Sequence, residues 1–279
     1  RSIPFSGAQQ WGSGYLPAEY QGTVLRAAAE PIRDLDNPPG LTPALITAER
    51  DALRQLNSAY GEVRPDNADL QARIDSYELA YRMQMEVPRV LSIDAEPESV
   101  KEAYGLNDPV TASFGRRCLM ARKLVEAGVR FVEVFTPSQS WDAHGDIRKN
   151  HEKNARETDK PTAALLKDLK QRGMLAKTLV VCMGEFGRTP FNEKGTGRDH
   201  NPWGFSIWMA GGGVKGGQTI GSTDELGLRA VERPVHVHDI HASVLYALGL
   251  DHKRVTFQRN GRAERPTLTA GNVISEIFA

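Results

Sequence analysis

Thr178-Leu179-Val180-Val181-Cys182-Met183 runs directly into Gly184-Glu185-Phe186-Gly187-Arg188-Thr189-Pro190. A near-continuous apolar run of this kind reads as a central strand covered on both faces. The glycine-flanked polar stretch behind it reads as a loop at the strand's carboxyl end. Upstream lies a helical pattern from about His151 to Arg172, ended by Gly173. Ahead of that helix, Arg130-Phe131-Val132-Glu133-Val134-Phe135 is rich enough in β-branched and aromatic residues to read as a strand. Strand, helix, strand predicts a right-handed parallel unit. A further helix, Ser113 to Glu126 with Gly128 as its stop, precedes it.

Downstream, Phe205 to Ala210 reads as a third strand and Asp239 to Leu248 as a helix stopped at Gly249. Residues 184–204 show no crossover helix, which leaves the third strand free to run antiparallel. The first 110 residues differ. Residues 1–45 mix Pro, Gly and aromatics without a period, and Pro38-Pro39-Gly40 breaks the chain. Helix formers dominate from Thr47 to about Tyr60 and from Asn67 to about Met85, a helical hairpin. The expected organisation is an irregular segment plus hairpin over residues 1–110, packed on an α/β core over residues 111–279.

Composition narrows the function. The 35 basic and 35 acidic residues cancel, so no net field favours nucleic acid or an anionic membrane. No apolar run is long enough to span a bilayer. The two cysteines, Cys118 and Cys182, sit in apolar segments and exclude a disulfide framework. Arg1-Ser2-Ile3-Pro4 lacks an initiator methionine, and no signal-peptide pattern follows.

Three polar clusters fall on loops at expected strand ends: Trp141 to Gly145, Gly184 to Pro190, and Gly197-Arg198-Asp199-His200. In α/β sheets ligands bind beyond the carboxyl ends of the strands. Asp142 and His144, two apart in extended chain, point the same way, and Asp199 and His200 return to that edge if the third strand is antiparallel. Carboxylates and imidazoles gathered there suit a divalent metal. The plainer alternatives are turn-forming Asp residues with a solvated His, and for Glu185 an ion pair with Arg188.

Other polar runs read as structure. Asp239 suits a helix N-cap, which accounts for the histidines at 236, 238 and 241. His151 and His252 sit among charges and read as surface residues. Gly211 to Gly217 lacks the Lys-Ser/Thr pair of a phosphate loop and reads as a mobile turn. No Gly-x-Ser-x-Gly elbow occurs.

The run Gly184 to Pro190 with Gly197 to His200 resembles the bacterial DUF1501 proteins, often labelled sulfatase-like, of the alkaline phosphatase superfamily. Ala121 to Val132, Trp141 to Gly145, Ala210 to Gly217 and Val235 to Ala242 carry the same likeness. The resemblance implies an alkaline-phosphatase-like three-layer α/β sandwich with a largely parallel sheet. It also implies two divalent metals flanking a phosphate or sulfate ester, one polarising the ester and one activating a nucleophile. Asp142 and His144 match the first ligand cluster and His200 the late histidine. Glu185 stands where an Asp is usual, and Phe186 replaces a metal-binding His. Together with Asp199 from the loop clusters, the expected ligand set is Asp142, His144, Glu185, Asp199 and His200, with Arg188 on the substrate. Zinc, manganese or calcium would serve.

Cys118-Leu119-Met120-Ala121-Arg122 departs from the sulfatase nucleophile pattern at its third position and lies inside an amphipathic helix. Family members begin with a secretion signal and a first strand bearing an Asp, and residues 1–45 match neither. The chain is therefore expected to be the C-terminal part of a longer extracytoplasmic or periplasmic protein. Its N-terminal strands and nucleophile would lie upstream of Arg1, and the part alone would be inactive. The function implied is metal-dependent hydrolysis of a small phosphorylated or sulfated ester. The alternative is a non-catalytic binding or structural module on the same fold.

Overall fold

A computed structural model describes residues 12–13, 16, 20–28, 31–32, 40–64, 70–71, 74–75, 77–78, 81, 87–88, 90–136, 139–192, 195–259 and 261–278. The chain divides into two compact units, Arg1–Glu96 and Pro97–Ala279. Among the described residues no helix is long and apolar enough to cross a membrane.

In the first unit helix α1 spans Pro43–Glu62. It starts earlier than Thr47 because Thr42 caps it, its hydroxyl accepting from Leu45 N at 3.3 Å, and Pro43 presets the first turn. Residues 70, 71, 74, 75, 77, 78 and 81 are helical too. Glu78 faces Arg50 and Arg54 at 3.9 and 3.6 Å, and the Arg50 guanidinium lies over the Tyr81 ring. The remaining residues of the expected second helix, and most of residues 1–45, lie outside the described ones.

In the second unit the helices are α2 (Glu98–Ala103), α3 (Ala112–Glu126), α4 (Ile147–Gln171) and α5 (Val237–Ala247). Helix α3 buries Gly115, Cys118, Leu119 and Arg122, a stripe at helical spacing, and α4 contributes Ala164 and Leu169. Leu119 and Leu169 are 0 and 2 % exposed, and each such burial stabilises by about 1.5–3 kcal/mol. A second small core forms where Ser243 Oγ of α5 accepts from Ile274 N, beside the buried Ala242.

The strands are short: β1 (Val180–Cys182), β2 (Gly187–Arg188), β3 (His200–Asn201), β4 (Trp208–Ala210), β5 (Ser222–Thr223), β6 (Ala230–Glu232), β7 (Phe257–Arg259) and β8 (Arg262–Glu264). They form antiparallel pairs, β1 with β4, β2 with β3, β5 with β6 and β7 with β8. Strand β4 is thus antiparallel to β1, as the lack of a crossover helix allows. No parallel ladder occurs among the described strands. Residues 130–135, expected as the first strand, join no ladder. The Phe135 carbonyl instead accepts from Arg117 Nη1 at 2.8 Å, and Phe131 is 67 % exposed.

Strand β1 also differs from a strand covered on both faces, since Cys182 and Met183 are exposed. The Gly211 turn is closely packed: Gly212 N donates to Leu175 O, and a Cβ on Gly212 would meet Leu179 Cβ at 2.7 Å. Positive φ of 73°, 58° and 83° at Gly211, Gly212 and Gly213 needs glycine there.

Candidate metal centre

The loop holding Asp142 and His144 is anchored on the first turns of α4. Asn150 and the buried Asn154 both donate to Ser140 O, at 2.9 and 2.6 Å. Beside them the Trp141 ring meets His151 edge-on, centroids 5.2 Å apart. These contacts leave Asp142 and His144 projecting from a fixed base.

The second wall is the β2–β3 hairpin, whose register sets Arg188 opposite His200. Thr189 N donates to Asp199 O at 2.9 Å, and Asp199 N donates to Thr189 Oγ1 at 3.0 Å. Gly197 joins hairpin to loop, for Arg198 N donates to Ala143 O at 2.8 Å. A Cβ on Gly197 would run into the His144 carbonyl and lie 2.5 Å from Gly145 N. Only glycine lets the two segments approach this closely. Thr196 adds two bonds, accepting from Asp146 N at 2.8 Å and Ile147 N at 3.2 Å.

Asp142 Oδ1 is the hub. His200 Nε2 lies 3.0 Å from it and His144 Nε2 3.2 Å, with the two imidazole nitrogens 3.3 Å apart. These three residues can hold a metal ion, one donor atom each. Tetrahedral zinc with donors at 2.0–2.1 Å has donor–donor edges of about 3.3 Å, close to this triangle. His144 Nδ1 faces Asp199 Oδ1 at 3.8 Å. A proton on that Nδ1 leaves the Nε2 lone pair directed at the shared point.

Arg188 closes the site. Its Nη2 is 3.2 Å from Asp142 Oδ1 and 3.0 Å from Glu185 Oε1, and Nη1 donates to Gly187 O at 3.3 Å. The Phe186 ring packs against the His200 ring at 4.5 Å and beneath the Arg188 guanidinium at 4.9 Å. The structure therefore brings Asp142, His144 and His200 into one triangle. Asp199 stands behind His144, and Glu185 stands behind Arg188.

A family model described as a protein of unknown function (DUF1501) matches residues 2–278. The chain belongs to this family. Neither the curated proteins nor the solved structures yield a match.

Several sequence readings need correction in this DUF1501 structure. His252 is buried, not on the surface, its Nδ1 2.7 Å from Thr267 Oγ1. The N-cap of α5 is His236, whose Nδ1 accepts from His238 N, while Asp239 Oδ2 accepts from His236 N at 2.9 Å. Asp239 is thus the reciprocal half of a capping box rather than the cap. Cys182 is exposed, whereas Cys118 is buried and its thiol is pushed up to about 12 by burial. Asn150 and Asn154, which anchor the loop, have no place among the sequence-based site residues. The Asn pair is four apart at the start of the helix that follows the cluster, a usable signal.

Proposed function

We propose that the protein is a metal-dependent hydrolase of phosphate or sulfate esters. The observation that carries this reading is the triangle of Asp142 Oδ1, His144 Nε2 and His200 Nε2, whose sides are 3.0, 3.2 and 3.3 Å. Three protein donors with a fourth position open to solvent are the pattern of catalytic rather than structural zinc. Both imidazoles are about half exposed, which leaves a small anion access. Two nitrogens among three donors favour zinc or manganese over calcium, which takes oxygen ligands.

Within this reading each residue has a task. Asp142 places one negative charge among the donors, and Asp199 orients the His144 ring from behind. Arg188 supplies a positive charge beside the open position, where an ester's anionic oxygen would lie. A bound cation would supply Lewis acidity toward that ester. Among the described residues, the polar partners of Asp142 Oδ1 are two imidazoles and a guanidinium, with no hydroxyl or thiol among them. The order of the motifs, Asp142 and His144 first, then Glu185 to Arg188, then His200, matches the order of the superfamily's ligand clusters. An alkaline-phosphatase-like sandwich and an extracytoplasmic location belong to the same proposal, supported by that motif order.

The same lack of a hydroxyl or thiol supports a second reading, an anion-binding module without turnover. The test is hydrolysis of 4-nitrophenyl phosphate and 4-nitrophenyl sulfate by the zinc- or manganese-loaded protein. Metal-dependent turnover that disappears in His200→Ala supports the hydrolase. Bound metal without turnover of either ester supports the binding module.

A further inference from the structure

We infer that the site takes a single divalent cation, and that Arg188 is a built-in positive charge standing in the place of a second. The inference rests on the cation reading of Asp142, His144 and His200 and extends it to the neighbouring residues. Arg188 Nη2 bridges two carboxylates, at 3.2 Å from Asp142 Oδ1 and 3.0 Å from Glu185 Oε1. Bridging two carboxylates is what a second metal ion would otherwise do, and the guanidinium already occupies that position.

Two features hold it there. The Phe186 ring lies under the guanidinium at 4.9 Å, an attraction that needs a fixed positive charge above the ring face. Gly187 O accepts from Nη1 on the other side. Phe186 also packs on His200 at 4.5 Å, so one ring without a lone pair orients a donor and seats the arginine. Glu185 is then the partner of Arg188 rather than a metal ligand, and its side chain is 63 % exposed. The substrate that fits is an anion bridging one cation and one guanidinium, which a planar fork binds with directional hydrogen bonds.

The test is a calorimetric zinc titration of the 279-residue chain and two variants, with folding checked by circular dichroism. Wild type is expected to bind one equivalent. Arg188→Met removes a positive charge beside the shared oxygen, and its zinc affinity is expected to rise roughly tenfold at unchanged stoichiometry. Arg188→Lys keeps the charge and is expected to stay closer to wild type. An arginine that merely braced the site would give the opposite result, weaker zinc binding in Arg188→Met. Two equivalents in wild type, or no tightening in Arg188→Met, overturn this inference while leaving the cation site standing. No zinc bound by any of the three proteins overturns the cation site and this inference together.

Discussion

Arg122 and Asp142 each sit at the centre of a charged cluster in the second unit, and the two are built in opposite ways. Arg122 is 1 % exposed, between Glu126 and Asp168. Arg172 pairs with the same two carboxylates, at 3.0 and 2.7 Å, and the Tyr104 hydroxyl donates to Asp168 at 3.0 Å. Two arginines thus balance two carboxylates across α3 and α4, and burial beside Asp168 pushes the Tyr104 hydroxyl far up, keeping it a donor. Around Asp142, one oxygen instead takes three close partners while both imidazoles remain open to water. Balanced and buried charges hold helices together. Convergent and exposed donors leave a point that a cation can fill.

Stability should separate the clusters most sharply. Arg122→Met leaves Asp168 without its buried cation and is expected to cost about 3–5 kcal/mol. Asp142→Asn in metal-free protein should cost less than about 1 kcal/mol, since both imidazole partners are half exposed. Urea unfolding followed by far-ultraviolet circular dichroism reads both, and equal losses would erase the distinction. Gly197→Ala should fall between them, at roughly 1–3 kcal/mol, because its new Cβ pushes against the His144 backbone. The same variant should bind zinc more weakly, as the loop and the hairpin separate.

The smallest effect concerns the thiols. Cys118, buried in α3 with its thiol pushed up to about 12, should resist alkylation of the native protein at pH 8. Cys182, exposed on β1, should react. Mass spectrometry should then find one modified cysteine before unfolding and two after it. Modification of Cys118 at the rate of Cys182 would mean that the α3–α4 core opens readily.

Local signals explain what was legible beforehand. Helices α3, α4 and α5 follow from apolar spacing and glycine stops, with ends displaced by only a few residues. Strand pairing is non-local, so residues 130–135 could show β-branched content without showing whether a ladder partner exists. Asp142, His144 and His200 stood out by residue type beside glycine. Their meeting depends on the β2–β3 hairpin, whose two-residue strands are too short for any periodicity to register. Arg188 entered as the expected partner of Glu185, and that pair is present at 3.0 Å, but its second contact to Asp142 had no sequence signal. His252 was misread because its burial depends on Thr267, fifteen positions on, rather than on the charges adjoining it.

The central claim is that Asp142, His144 and His200 together hold one cation, and zinc content tests it most directly. Wild type and His200→Ala would be loaded with zinc, passed through identical gel filtration, and analysed for metal per chain. Removing one of three donors should weaken binding by a factor of a hundred or more, on the order of 3 kcal/mol. The account predicts about one zinc per chain in wild type and close to none in His200→Ala. Equal zinc in the two proteins would contradict it.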